Sequence, residues 1–273
     1  MKKRVAQLAA RRVRTALGLS FGLVIMYGAF YNAMNPLLLS VALGFALLHL
    51  FGDCYNDGCD YDEDKKNGRK DKLTVSDIAS PRRMVRISLF ALAAGLAFLL
   101  YAGAAFLALG AAYAALLWAY SSPRVRLKGH DIYGYALTES PWLLVPPLLN
   151  VALSFRFSAA TALFMSFFFF QYLYLLCQKD STDTKDATNL FIRRGWRTAS
   201  IACIGIAAAS SASLLMLSAP AAPLLIAWAL NLAAKIMNLW MIWLKKIGRS
   251  LRGRLVLIEF ATPYLYAGGG LLA

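Results

Sequence analysis

Histidine, cysteine and charged residues are all scarce in this chain of 273 residues. The two histidines, His49 and His130, are far apart, and charged residues make up 16% of the chain. Cys54 and Cys59 bracket an acidic stretch, but two thiols at that spacing are only a weak zinc signal. No polar stretch is long enough for a separate soluble domain, which leaves little support for nucleic-acid binding. We therefore interpret residues 1–273 as a single domain.

Hydrophobic residues, in contrast, are abundant. They make up 59% of the chain, whereas soluble domains are about 45–50% apolar. A membrane helix needs about 20 mostly apolar residues. We therefore predict an all-α integral membrane protein, a bundle of about nine transmembrane helices. The predicted segments cover residues 15–34, 36–52, 85–102, 104–120, 134–153, 158–178, 198–217, 220–244 and 255–272.

Positive charge is unevenly distributed among the predicted loops. Of the 29 lysines and arginines, 27 lie on one side of a nine-helix bundle, and the exceptions are Arg156 and Lys235. Because cytoplasmic loops of membrane proteins carry an excess of Lys and Arg, this distribution predicts a cytoplasmic N-terminus. It places two Asp-rich loops, 53–84 and 178–197, in the cytoplasm, where they would cap a site at the inner face of the cell membrane.

The first acidic stretch directly follows an apolar run. Six of the fourteen acidic residues lie between Asp53 and Asp64. Asn56, Asp60 and Asp64 are spaced i, i+4, i+8, which places their side chains on one face if the preceding helix continues. Clustered carboxylate and amide oxygens suit Mg²⁺, which usually shares its ligands with substrate phosphates. The alternative is a solvated acidic loop.

A second acidic stretch follows the aromatic segment 163–177. Asp180, Asp183 and Asp186 recur every three residues and share a face on a helical extension. Each acidic stretch is followed by a basic one, first residues 65–72 and then 193–197. Two facing carboxylate clusters would hold Mg²⁺ ions that bridge a diphosphate, while neighbouring Arg and Lys neutralise the remaining charge.

A third basic element follows the fourth predicted helix. Arg124, Arg126 and Lys128 alternate, so an extended segment would point all three side chains the same way. They would then face the diphosphate. The alternative is a purely topological role, because membrane helices often end in basic residues on the cytoplasmic side.

Two carboxylates fall inside predicted membrane segments, where ionisable side chains usually face a cavity or a partner. Glu139 precedes Ser140 and Pro141, where a kink is expected. Glu139 could contact a polar substrate or make a structural hydrogen bond between helices, and the sequence leaves both open. For Glu259, in the last segment, we expect a structural role.

These stretches resemble a known family. Asn56-Asp57-x-x-Asp60-x-x-x-Asp64 is similar to the NDxxDxxxD signature of the UbiA superfamily of intramembrane prenyltransferases. Arg69 stands where that family carries a phosphate-binding arginine.

The resemblance extends to the other two stretches. Tyr120–Gly129 resembles the family's YSxPPxRLK segment, and Lys179–Asp186 looks like its second Asp-rich motif. The last two aspartates of that motif are three residues apart here rather than the family's four. Which of Asp180, Asp183 and Asp186 bind metal is therefore open.

The resemblance implies a nine-helix fold and an Mg²⁺-dependent transfer of a prenyl group from a polyprenyl diphosphate to an aromatic or other lipophilic acceptor. It implies metal binding by Asn56, Asp57, Asp60, Asp64, Asp180, Asp183 and Asp186. It implies diphosphate binding by Arg69, Lys72, Arg124, Arg126, Lys128 and Lys179. It implies catalytic roles for Asp60, Asp64, Asp183 and Tyr120.

Two other functions are compatible with the sequence. A terpene cyclase of the same superfamily would act on a prenyl diphosphate without an acceptor. A cation-coupled transporter is disfavoured, because transporters usually hold their ions near the bilayer midplane, whereas these acids cluster at one mouth. Aromatic residues of the sixth segment, Phe164 to Tyr174, would either surround an allylic cation or simply pack in the bundle.

Overall fold

The computed structural model describes residues 13, 17–66, 68, 72–76, 78–181, 190–218, 222–245 and 249–272. A π-helical turn, Leu17–Phe21, precedes the first α-helix. The α-helices in chain order are α1 Gly22–Phe30, α2 Pro36–Cys59, α3 Tyr61–Lys66, α4 Pro81–Ala102, α5 Ala104–Ser121, α6 Asp131–Glu139, α7 Val145–Ala152, α8 Ala159–Asp180, α9 Leu190–Arg193, α10 Trp196–Ser218, α11 Ala222–Trp243 and α12 Arg249–Leu272.

Six of these helices are long and apolar enough to cross a membrane: α2, α4, α5, α8, α10 and the Leu224–Trp243 part of α11. Large apolar side chains on them face outward, such as Phe90 on α4, which is 82% exposed. In an integral membrane protein these side chains contact lipid, which does not penalise their exposure as water would. The all-helical membrane architecture is therefore as predicted, while the count of nine spans stays a prediction.

The helix starts follow from local sequence. Asn35 precedes Pro36, and its Oδ1 accepts a hydrogen bond from the Leu38 amide at 2.9 Å. Ser158 caps α8 in a reciprocal capping box with Thr161. Such caps satisfy amides that have no partner within the helix. Between α4 and α5, Gly103 adopts a φ of 128°, which lets two helices follow each other with a single residue between them.

The predicted segment 134–153 is broken in the structure. Helix α6 ends at Glu139, a 3₁₀ turn covers Ser140–Leu143, and α7 begins at Val145. Pro141 lacks an amide hydrogen and cannot continue the hydrogen bonds of α6. The kink expected at this proline is therefore confirmed.

The helices pack in two groups. In the first group, α2 packs against α4 and α5. In the second group, α8 packs against α10, and α12 contacts both α11 and α1. Gly44 on α2 and Gly95 on α4 allow their helices to approach closely, because a Cβ on Gly44 would lie 3.2 Å from the Gly95 carbonyl oxygen. Small residues at such contacts are typical of membrane helices. Helices α1 and α6 join the groups, because α1 contacts α2 and α12 and α6 contacts α5 and α8. The ends of α2 and α8 that carry the two acidic stretches are called the acidic end below.

Candidate active site

The first acidic stretch retains helical geometry across the junction of α2 and α3. The Asp60 amide donates to the Asn56 carbonyl at 2.9 Å, and the Asp64 amide donates to the Asp60 carbonyl at 2.8 Å. These i to i−4 bonds keep Asn56, Asp60 and Asp64 on one face, as their spacing predicted.

Two buried lysines approach this stretch from different parts of the chain. Lys128 Nζ lies 2.7 Å from Asp60 Oδ2. Lys72 Nζ lies 2.6 Å from Asp57 Oδ1 and 3.6 Å from Asp64 Oδ2. Both lysines were predicted to bind diphosphate, and the structure places both at the motif. Asp57 pairs with Lys72, and its side chain is completely buried.

The basic segment after α5 is a tight turn, so the extended geometry predicted for it is wrong. The amides of Val125 and Arg126 both donate to the Ser122 carbonyl, at 3.2 and 2.8 Å. Arg126 adopts a positive φ of 49°, which ends the alternation of side chains. Arg126 pairs with Glu63, Lys128 pairs with Asp60, and Arg124 is exposed.

A close contact holds this turn against α6. A Cβ on Gly134 would lie 1.9 Å from the Leu127 carbonyl oxygen. Real Cβ atoms do not approach an oxygen so closely, so position 134 accommodates only glycine in this arrangement. The contact places Lys128 over the first acidic stretch.

The second acidic stretch is described only at its start. Asp180 Oδ2 accepts hydrogen bonds from the Tyr135 hydroxyl and, at 2.8 Å, from the Leu190 amide. Lys179 lies beside it, half-buried at the end of α8. Asp183, Asp186 and Arg69 lie outside the described residues, so their predicted roles remain predictions.

The two acidic stretches meet through the end of α5. Ser121 Oγ donates to Asn56 Oδ1 at 2.9 Å. The neighbouring ring of Tyr120 lies 5.9 Å from that of Tyr135, which in turn binds Asp180. Tyr120 interacts electrostatically with both Asp60 and Asp180. The described parts of the two acidic stretches therefore converge on Tyr120, the tyrosine singled out from the sequence.

The donor set of the first stretch fits a hard cation. Asp60 Oδ1 is buried and accepts no hydrogen bond among the described residues, which leaves a carboxylate oxygen for a ligand. Asn56 and Asp64 supply further oxygens on the same face, and Mg²⁺ prefers such oxygens. Within the described ranges, no three His, Cys, Asp or Glu side chains lie close enough together to hold a metal ion by themselves.

An aromatic interior lies next to the acidic end. Trp142 stacks on Tyr172 at 4.5 Å and contacts Phe45 and Phe168 at 5.1 and 6.1 Å between ring centroids. Phe164, Phe167, Phe168, Tyr172 and Tyr174 of α8 are all buried, whereas Phe169 and Phe170 are half-buried.

Polar side chains on two other helices also reach this interior. His49 on α2 lies 4.0 Å from Asp53 and 6.0 Å from the Tyr172 ring. Glu139, at the end of α6, is buried and accepts a hydrogen bond from the Tyr113 hydroxyl at 3.3 Å.

The sequence did not reveal several residues of this region. Asp131 is buried and pairs with Arg194 Nε at 2.8 Å and Arg193 at 3.2 Å, which ties α6 to α9. Tyr135 binds Asp180, and Glu63 pairs with Arg126. Glu63 could have been inferred from its place in the acidic stretch, whereas no spacing or motif marks Asp131 or Tyr135.

Glu259 belongs to a separate polar network in the second helix group. Its carboxylate accepts hydrogen bonds from Gln171 and Asn238, both at 3.1 Å. Lys235 donates to Ser210 at 2.7 Å and interacts electrostatically with Glu259. The network joins α8, α10, α11 and α12, in agreement with the structural role expected for Glu259.

Taken together, the apolar helices and the two acidic stretches at one end describe a helical integral membrane protein with a polar site at its mouth. The UbiA prenyltransferase family matches residues 15–256 of the chain. The chain belongs to this family.

Solved structures share the fold. A UbiA homologue from Archaeoglobus fulgidus bound to GPP and Mg²⁺ is 18% identical, with a TM-score of 0.66 over 96% of this chain and 97% of that one. The same homologue bound to DMAPP and Mg²⁺ gives a TM-score of 0.65 at 17% identity over the same shares. A digeranylgeranylglyceryl phosphate synthase structure gives 0.59 at 17% identity, over 96% of this chain and 100% of that one. Comparison with curated proteins gives no match.

Proposed function

We propose that this chain is an Mg²⁺-dependent intramembrane prenyltransferase. It moves a prenyl group from a polyprenyl diphosphate to an aromatic or other lipophilic acceptor through an allylic cation. The observation that carries the proposal is the convergence on Tyr120 of Asp180 and of Asp60, which is paired with Lys128, next to an aromatic interior. Family membership and the GPP- and DMAPP-bound relatives of the same fold support it.

Mg²⁺ would be held by Asn56, Asp60 and Asp64 on one side and by Asp180 with Asp183 or Asp186 on the other. When bound, it neutralises the diphosphate and stabilises the charge that develops as the C–O bond breaks. Asp57 fits a supporting role better than metal binding, because its position in the helix lies off the face shared by Asn56, Asp60 and Asp64 and its side chain is completely buried.

Basic residues of the chain bind the diphosphate. Lys72 and Lys128 are already positioned by their carboxylate partners, so little conformational entropy is lost when the substrate arrives. Arg126 stands beside Lys128 and approaches the diphosphate from the same turn. Lys179, Arg69 and Arg124 complete the set taken from the family resemblance.

The aromatic interior receives the reactive end of the prenyl group. The faces of Trp142 and Tyr172 attract a cation, and the buried surroundings exclude water that would otherwise capture it. Tyr120, half-buried between the acidic stretches, lies at the boundary between the diphosphate and this interior.

The orientation follows from charge. We propose nine spans, a cytoplasmic N-terminus and a site that opens to the cytoplasm at the cell membrane, with residues 1–273 as one domain. Labelling of single cysteines introduced at positions 62 and 154, in a variant whose four natural cysteines are replaced by serine, tests this. Only position 62 should react from the cytoplasmic side in intact cells, and the reverse pattern would contradict the orientation.

The activity is tested with protein purified in nanodiscs, radiolabelled geranyl diphosphate and MgCl₂. Probe acceptors are a hydroxybenzoate, a dihydroxynaphthoate and a glyceryl ether phosphate. Labelled adducts that disappear with EDTA support transfer, whereas labelled hydrocarbon without an acceptor identifies a terpene cyclase. Intact donor under all conditions would refute both activities.

A further inference from the structure

Helix α6 carries two buried side chains that contact the chain before and after the second acidic stretch. Asp131 and Tyr135 are four residues apart, so they lie one turn apart on the same face of the helix. Their exposed fractions are only 3% and 2%. The Tyr135 hydroxyl donates a hydrogen bond to Asp180 Oδ2, while Asp131 forms ion pairs with Arg193 and Arg194.

Asp180 Oδ2 also accepts a hydrogen bond from the Leu190 amide at 2.8 Å. Leu190 begins α9, and Asp131 holds the other end of that short helix. Its Oδ2 accepts from Arg194 Nε at 2.8 Å, and its Oδ1 lies 3.2 Å from Arg193 Nη1. Helix α6 therefore acts on Asp180 by two routes, directly through a tyrosine hydroxyl and indirectly through the position of α9.

A carboxylate that accepts two hydrogen bonds on one oxygen has little freedom to rotate. Hydrogen bonds to a charged acceptor are about twice as strong as those between neutral groups. Both donors are themselves held in place, because Tyr135 and Leu190 are each 2% exposed. Asp180 is half-buried, so its carboxylate is oriented at the acidic end while part of the residue stays accessible.

The same helix also supports the first acidic stretch. Gly134, the neighbour of Tyr135, contacts the basic turn that carries Lys128 to Asp60. One short helix thus determines the positions of charged groups in both acidic stretches.

We propose that Tyr135 is a positioning residue for the prenyl transfer, and that Asp131 assists it. Tyr135 holds the Asp180 carboxylate in the orientation in which it binds Mg²⁺ together with the diphosphate, and Asp131 keeps α9 in place for the second hydrogen bond. This inference rests on the proposed function. Residues that orient a metal ligand typically contribute about 10–100-fold to metal affinity.

The test measures metal binding without turnover. Mn²⁺ is titrated into the full chain in phosphatidylcholine nanodiscs with inorganic diphosphate, and free Mn²⁺ is followed by electron paramagnetic resonance. Tyr135→Phe keeps the ring beside Tyr120 and removes only the hydroxyl, so it should weaken Mn²⁺ binding about 10-fold. Tyr133→Phe is the matched control on the same helix, because Tyr133 is 74% exposed, and it should bind like the unaltered protein. Asp131→Asn should weaken binding in the same direction as Tyr135→Phe.

A second readout separates positioning from a general loss of structure. Diphosphate release from geranyl diphosphate by Tyr135→Phe should need about 10-fold more Mg²⁺ for its half-maximal rate. At saturating Mg²⁺, kcat should return to within about threefold of the unaltered value. A purely structural defect would instead lower kcat at every Mg²⁺ concentration.

Equal Mn²⁺ affinities of Tyr135→Phe and Tyr133→Phe would overturn the proposal, and so would a loss of rate that added Mg²⁺ does not restore. Unchanged Mn²⁺ binding in Asp131→Asn would overturn the part assigned to α9. In these cases the unaltered protein still binds Mn²⁺ and releases diphosphate, so the proposed function survives. An unaltered protein that does neither would refute the proposed function and this inference together.

Discussion

Lys128 Nζ lies 2.7 Å from Asp60 Oδ2, and both side chains are buried. The pair joins the turn after α5 to the end of α2, across 68 positions of sequence. It places a cation and a carboxylate of the site in contact before any substrate is bound. The pair therefore serves both the stability and the proposed chemistry of the acidic end.

Removal of this lysine should destabilise the protein and impair donor binding. Lys128→Met leaves Asp60 buried without its cation, which typically costs about 3–5 kcal/mol. We expect a lower Tm in nanodiscs and a raised KM for geranyl diphosphate. The matched control is Arg82→Met at the start of α4, where the side chain is exposed. An unchanged Tm in Lys128→Met would show that the pair contributes nothing to stability.

Replacement of Asp60 should abolish turnover without preventing insertion into the membrane. Asp60→Asn removes the negative charge while keeping the shape, and charge stabilisation of this kind is typically worth 100-fold or more in rate. Asp62→Asn, exposed on the neighbouring helix, should keep nearly full activity. The readout is diphosphate release across an Mg²⁺ titration.

Asp183→Ala should likewise be inactive in the same assay. Substantial activity in Asp60→Asn or in Asp183→Ala would remove the altered residue from the metal site.

A methyl group at Gly134 should displace the basic turn. Gly134→Ala would place its Cβ 1.9 Å from the Leu127 carbonyl oxygen, so the turn must shift and carry Lys128 away from Asp60. We expect weaker donor binding, measured as a higher KM for geranyl diphosphate. Gly205→Ala, whose Cβ would meet nothing within 4 Å, is the control. Equal KM values in the two variants would contradict the proposed support of Lys128 by α6.

The Lys235–Glu259 network should behave as a structural unit. Lys235→Met leaves the Glu259 charge uncompensated in the membrane and should lower Tm, whereas the double variant Lys235→Met/Glu259→Met should recover most of that loss. The coupling energy of the double-mutant cycle measures the interaction. A double variant as unstable as the sum of the single ones would show that the two residues act independently.

The agreement between sequence and structure is closest where local rules apply. The stacking of Asn56, Asp60 and Asp64 depends only on helical spacing and on hydrogen bonds four residues apart. The break at Pro141 depends on a missing amide hydrogen. The basic turn was predicted incorrectly because alternation assumes an extended chain, whereas two hydrogen bonds to the Ser122 carbonyl and a positive φ at Arg126 bend it.

The sequence alone determined that this chain is a bundle of apolar helices with two acidic stretches, because hydrophobic length and periodicity are local properties. It also indicated the family, through the resemblance of three stretches to the family's motifs. Only the tertiary structure decided which cation meets which carboxylate, that Tyr135 reaches Asp180, and that Tyr113 binds Glu139. Those contacts join residues far apart in the chain, and they depend on how the helices pack, which no local pattern records.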